Sequence, residues 1–200
     1  MKRVGVILRV EEITGVLKHY VRDSLLNKFI DYDIELICIP ITNKIEKTKH
    51  IINSCDGIIL PGGDDVLKRD LEIIDYLYKN DIPTLGICLG MQEMALYNNG
   101  ALEDLKEKFH YTKEIKAHEV IINKNTMLHK IIKKNRIVVN SIHKSVVVKT
   151  DLNVSALSID NYIEAVEDNS KKFFLGIQWH PERMEVEESR LLFDYFISVL

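Results

Sequence analysis

The spacing of apolar residues changes period several times along the chain, and each change predicts an element. Val4 to Leu8 is a short apolar run that predicts a first buried strand. From Tyr20 to Phe29 the residues Val21, Leu25, Leu26 and Phe29 recur at helical spacing, and Ile34 to Ile39 then predicts a second strand ended by Pro40. A helix over Ile45 to Ser54 follows, then a strand over Gly57 to Leu60 that stops at Pro61-Gly62-Gly63. Leu67 to Lys79 predicts a helix with Leu71, Ile74, Leu77 and Tyr78 on one side. A fourth strand, Pro83 to Ile87, runs with no loop into Cys88 and a helix over Glu93 to Tyr97. Strands alternating with amphipathic helices are the pattern of βα units around a parallel sheet covered on both faces.

After Asn98-Asn99-Gly100 the character changes. His118 to Ile122, Ile137 to Asn140, Val146 to Val148, Val154 to Leu157, Ile163 to Val166 and Phe173 to Trp179 read as strands with few helices between them. They predict antiparallel strands added to the sheet. Glu187 to Leu200, with Leu191, Leu192, Phe196 and Leu200 at helical intervals, predicts a closing helix. No repeat or linker divides residues 1–200, so the expectation is one α/β domain with a central, mostly parallel sheet flanked by helices.

Composition narrows the classes. With 46% apolar and 28% charged residues the chain can bury a core, and a net charge of -3 supplies no basic field for nucleic acid. The run at the N-terminus is too short for a signal peptide or membrane span, being followed at once by Arg9, Glu11 and Glu12. Three cysteines without CxxC spacing fit a cytoplasmic, reducing setting. Cys38 and Cys55 are expected to be small buried hydrophobes, and Phe173, Phe174 and Trp179 to be core.

The chemistry concentrates at three places. In Gly86-Ile87-Cys88-Leu89-Gly90, small residues two before and two after a nucleophilic type permit the sharp strand-to-helix turn of a nucleophile elbow. A helix N-terminus there favours the thiolate, the attacking species. Gln178-Trp179-His180-Pro181-Glu182 supplies a base and, two residues on and pointing the same way in an extended segment, a carboxylate to fix its tautomer. The turn at Pro61-Gly62-Gly63 ends a central strand at the edge where Cys88 emerges, so the backbone N–H groups near Gly63 and of Leu89 are candidates for an oxyanion hole. His19, His50, His110 and His129 lie in polar surroundings and are expected to be exposed, whereas His118 and His143 sit at strand ends that could line a pocket. No His, Asp or Glu cluster shows paired metal-ligand spacing, so no metal is expected.

Taken in order, Pro61-Gly62-Gly63, Gly86-Ile87-Cys88-Leu89-Gly90-Met91-Gln92 and Trp179-His180-Pro181-Glu182 resemble the class I glutamine amidotransferase-like proteins over nearly the whole chain. Arg69-Asp70, Glu72, Ala117-His118-Glu119-Val120, Val139-Asn140-Ser141-Ile142-His143 and Ile163-Glu164-Ala165-Val166 look like the γ-glutamyl-γ-aminobutyrate hydrolase branch. The resemblance implies a flavodoxin-like fold, a Cys88, His180, Glu182 triad, and a γ-glutamyl site at Gly62, Gln92, Asn140, Ser141 and His143. It implies hydrolysis of a small-molecule γ-glutamyl amide through a thioester with no cofactor. Expected partners are a second copy of the chain or a separate synthase. Two departures bear on the substrate. Leu89 follows the nucleophile as in synthetase glutaminase domains, where the hydrolase branch carries arginine, and the segment after Pro61-Gly62-Gly63 is short. A free-standing hydrolase is the leading expectation, because the chain ends at Leu200 without a synthetase domain; the alternative is a glutaminase that feeds ammonia to a separate synthase.

Overall fold

The computed structural model describes residues 1–105, 110–112 and 114–200. The first apolar run forms β1 (Lys2–Ile7), whose last four residues are buried. Its chain continues into β2 (Arg9–Ile13) and β3 (Val16–Tyr20), an antiparallel hairpin turned at Thr14 and Gly15, both at positive φ. The predicted Tyr20 to Phe29 helix is therefore shorter, because Tyr20 belongs to the hairpin and α1 spans Asp23–Lys28. Next come β4 (Ile34–Ile39), α2 (Ile45–Ile52), β5 (Gly57–Leu60), α3 (Lys68–Lys79), β6 (Thr84–Ile87) and α4 (Leu89–Tyr97). The second half holds β7 (Ala101–Asp104), β8 (His118–Ile122), α5 (Met127–Ile132), β9 (Arg136–Val139), β10 (Ser145–Lys149), β11 (Asn153–Ser158), β12 (Ile163–Glu167), β13 (Phe174–Ile177) and α6 (Glu187–Val199).

Eleven strands form one sheet in the order β4-β1-β5-β6-β13-β12-β11-β8-β9, with β10 joined to β12 and β7. From β4 to β13 every pairing is parallel, and from β13 outward every pairing is antiparallel. Every residue of β5, β6 and β13 is buried, as strands must be when helices cover both faces of a sheet. α3 turns Asp70, Ile73, Ile74 and Leu77 inward, a stripe of helical period, and α6 does the same with Ser189, Leu192, Phe193 and Phe196.

α4 differs from both. Its first seven residues, Leu89 to Ala95, are all buried, so it is a central helix with no solvated face over its first two turns. It lies so close to the sheet that a Cβ at Gly90 would run into the carbonyl oxygen of Leu60. Phe173, Phe174 and Trp179 are buried as expected, whereas Cys38 is exposed because β4 is the edge strand of the sheet. No helix among the described residues is long and apolar enough to cross a membrane.

Candidate active site

β6 and β13 are parallel neighbours in register, Ile87 beside Ile177, and both deliver reactive residues as they leave the sheet. The first residue after β6 is Cys88, at φ +52 and ψ −104, which no ordinary turn uses. A non-glycine residue held there costs about 1–3 kcal/mol, and strain of that kind gathers at functional positions. Cys88 N–H donates to the Ile177 carbonyl at 2.8 Å, and the Gln92 N–H donates to the Cys88 carbonyl at 3.1 Å. Sheet and helix therefore grip the residue from both sides.

Three residues past β13 stands His180, a hydrogen-bonding neighbour of the Cys88 sulfur. Its Nδ1 lies 2.7 Å from Glu182 Oε1. Cys88, His180 and Glu182 are 6%, 4% and 6% exposed, so the chemistry is shielded from bulk water but not sealed. Burial by itself disfavours the imidazolium, but the charge at Cys88 and the Glu182 carboxylate outweigh it and hold the His180 pKa well above its usual value. An imidazolium beside a nucleophilic sulfur is a proton donor already in place.

Asn140 and Gln178 frame this pair. Asn140 Nδ2 donates to the His180 carbonyl and its Oδ1 accepts from the His180 N–H, each at 2.8 Å. Gln178 Nε2 donates to the Cys88 sulfur at 3.5 Å, and its Oε1 accepts from Gln92 Nε2 at 3.1 Å. Gln92 Nε2 also donates to the Ser145 carbonyl at 2.9 Å. Ser141 Oγ donates to the His110 carbonyl at 2.8 Å. Thus the side chains of Gln92, Asn140 and Ser141 are engaged by the protein, while Gln92 and His143 also line the cavity at Cys88. Burial, with the neighbouring His110 ring, pushes His143 down to about 3, so its imidazole is neutral.

Gly62 and Gly63 sit against the reactive pair. A Cβ at Gly62 would come 2.7 Å from His180 Cε1, which leaves room for hydrogen alone. Leu89 opens α4, so its N–H has no acceptor inside the helix and faces the same region as Gly63. Behind the glycine turn lies a bracket that sequence reading missed. Arg9 Nε donates to the Pro61 carbonyl at 2.8 Å and Nη2 donates to it as well, while Nη1 and Nη2 reach the two oxygens of Glu93 on α4 at 2.7 and 2.9 Å. Burial pushes the fully buried Glu93 carboxyl up to about 7, with Arg9 opposing the shift. The arginine ties the glycine turn to the nucleophile helix.

The cavity at Cys88 has a volume of about 580 Å³. Arg22, Lys144 and Arg183 supply positive charge around it, and Asp64, Asp65 and Asp104 negative charge. A larger hollow of about 710 Å³ opens behind Glu182 between α1 and α6 and does not include Cys88. The chemistry assigns the site to the smaller cavity. Of the histidines expected to be exposed, His19 and His50 are, whereas His110 is 4% exposed and buried against His118, His143 and Glu164.

Comparison with known proteins agrees with this geometry. Residues 67–182 match the family model Peptidase C26. The chain is 27% identical to γ-glutamyl-γ-aminobutyrate hydrolase PuuD of Escherichia coli (strain K12), covering 98% of this chain and 92% of that protein. It is 31% identical to the glutamine-hydrolyzing component of GMP synthase from Methanothrix thermoacetophila, over 72% of this chain and 76% of the relative. Among solved structures, the glutaminase domain of Trypanosoma brucei CTPS with bound acivicin superposes with a TM-score of 0.76 at 19% identity, covering 100% of this chain and 93% of that one. A cysteine on a strand-to-helix elbow, backed by a histidine and a carboxylate, and a family match over more than half the chain lead to one conclusion: the chain belongs to the Peptidase C26 family of class I glutamine amidotransferase-like hydrolases, which act on C–N bonds through a cysteine nucleophile.

Proposed function

We propose that this chain is a free-standing hydrolase of γ-glutamyl amides. The observation that carries the reading is the Cys88, His180, Glu182 line at the mouth of a cavity whose walls bear both signs of charge. A γ-glutamyl group presents an α-ammonium and an α-carboxylate, and such walls suit both. In the first half-reaction the Cys88 thiolate attacks the γ-carbonyl carbon. The N–H groups of Leu89 and Gly63 receive the oxyanion, each worth about 2.7–4 kcal/mol of barrier when well aimed. His180 gives its proton to the departing amine, leaving a γ-glutamyl thioester. A water molecule, deprotonated by His180, then attacks the thioester and releases glutamate. Glu182 accepts from Nδ1–H throughout, which keeps Nε2 directed at the sulfur.

The alignment with PuuD runs over 233 positions, more than the 200 residues here, so that relative carries insertions this chain lacks. The leaving-group side of the cavity is accordingly expected to differ from that of PuuD. A panel of γ-glutamyl amines of graded size and charge, measured against free glutamine, tests the proposal. At least one γ-glutamyl amine should exceed glutamine in kcat/KM by tenfold or more, about 1.4 kcal/mol of transition-state discrimination. Glutamine as the best substrate, with turnover that rises when a synthase is added, would instead favour the second reading. In that reading the chain is the glutaminase component of a two-protein amidotransferase, and Leu89 and the GMP synthase relatives support it.

Glu182→Gln is expected to lower kcat on the order of 100-fold, a smaller loss than removing the nucleophile, since it costs orientation rather than the reacting atom. Glu182 is one of the groups that raise the His180 pKa. Its neutralisation should move the alkaline limb of the kcat/KM profile to lower pH, and an unmoved limb would count against the assignment.

A further inference from the structure

A second cluster lies beneath the cavity floor, formed by His110, His143 and Glu164 with His118 beside them. His110 Nδ1 and His143 Nε2 stand 3.9 and 3.8 Å from the same oxygen, Glu164 Oε1. The outer nitrogen of each ring is already committed. His110 Nε2 donates to Asp160 Oδ2 at 2.9 Å, and His143 Nδ1 donates to the Ser145 carbonyl at 3.2 Å. Those two bonds fix the tautomers and turn both lone pairs inward, towards a carboxylate oxygen that also offers lone pairs. Three acceptors thus face one another at separations too long for a shared proton.

The surroundings offer little relief. His118 Nε2 donates to Glu164 Oε1 at 3.1 Å, but His143 Nε2 and Glu164 Oε2 are buried and have no hydrogen-bond partner. His143 is 4% exposed and Glu164 fully buried. Leaving buried acceptors and a carboxylate so placed is costly unless a cation completes them. The three ligand atoms all lie within 4.8 Å of one another. A tetrahedral zinc with bonds of about 2.0–2.1 Å separates its ligand atoms by roughly 3.4 Å, so inward shifts of about half an ångström would close the site. Asp160 behind His110 and His118 behind Glu164 are placed as the outer partners that orient metal ligands in such sites.

We propose that His110 Nδ1, His143 Nε2 and Glu164 Oε1 bind a divalent first-row transition ion of the zinc class beneath the floor of the active-site cavity. The ion joins β12 to the segment that carries Asn140 and His143. This site does not depend on the γ-glutamyl reading, because its ligands take no part in the triad chemistry.

The test uses the full-length Cys88→Ala chain, in which the catalytic sulfur cannot capture metal, stripped with a chelator and titrated with Zn2+ and Co2+ by calorimetry and absorption. The expected result is one bound equivalent, a cobalt spectrum of nitrogen and oxygen ligands without sulfur, and affinity weakened about tenfold or more by Glu164→Gln and by His143→Asn. Exposed His19→Asn should leave the affinity unchanged. Binding that is present in the unmodified chain and lost in Cys88→Ala would place the ion on the catalytic thiol and overturn the proposal. Absence of stoichiometric binding would overturn it equally. Should the buried substitutions impair folding, proton NMR of the cobalt-loaded Cys88→Ala chain decides. Paramagnetic shifts on the His110 and His143 rings support the site, and shifts confined to other histidines refute it.

Discussion

Cys88→Ala is expected to bring turnover down to the residual level that binding and the oxyanion donors alone provide, a loss on the order of 10⁶-fold in kcat. The fold should survive, because alanine at φ +52 bears the same backbone strain as cysteine and the side chain it replaces is small. Far-UV circular dichroism and the denaturation midpoint check that expectation. A second readout follows from the charge at Cys88, which is part of what holds the His180 pKa high. Without it, NMR should show the imidazole losing its proton at a lower pH. The sign for stability follows. A histidine raised in the folded state contributes stabilisation that is fully present below its unfolded pKa, about 6.5, and is lost as pH rises through the folded value. Cys88→Ala should therefore flatten the alkaline decline in stability. Turnover surviving the substitution would refute the mechanism.

The second large effect is expected at a residue that touches no substrate. Arg9→Met removes both donors to the Pro61 carbonyl and the partner of Glu93, leaving a fully buried carboxyl uncompensated. Breaking one side of a buried pair costs about 3–5 kcal/mol, which chemical denaturation would read directly. Glu93 is raised even with the arginine present, and it should rise further without it. An acid raised in the folded state loses stabilisation as pH climbs from its unfolded pKa, roughly 4.5, towards its folded one. The deficit of Arg9→Met should therefore be smaller at about pH 5, where the carboxyl takes up a proton, than at about pH 8. Replacing Glu93 by methionine as well should recover much of the stability, because it removes the stranded carboxyl. It should not recover kcat, because the glycine turn would still lack its tether. Full recovery of both would show that the bracket stabilises the fold without aligning the site.

Much of this architecture was legible in the sequence because burial imposes periodicity. β4, β5 and β8 fall where their apolar runs predict, at Ile34–Ile39, Gly57–Leu60 and His118–Ile122. The β2–β3 hairpin was not legible, since most of it is exposed and shows no apolar alternation. α5 was passed over because it is only six residues long, although Thr126 marks its start by accepting from the His129 N–H at 3.1 Å. The elbow and the His-Pro-Glu segment could be read because their geometry is local. Arg9 could not, since its meaning comes from Pro61 and Glu93, 52 and 84 positions away. The burial of His110 was hidden for the same reason: its neighbours arrive from β12 and from the segment after β9, and polar flanking residues suggested a surface. Asn140 and Ser141, expected at the γ-glutamyl group, spend their side chains on the backbone of His180 and His110.

The ladder between β6 and β13 has an evolutionary consequence. Nucleophile and base are 92 positions apart in the chain, yet each leaves its strand within three residues of the paired Ile87 and Ile177, so their separation is set by adjacent rungs of one ladder. The intervening stretch does not measure that distance. Loops there can lengthen, shrink or acquire new recognition surfaces while the reactive atoms keep their spacing, so new specificities can arise on an inherited reaction centre.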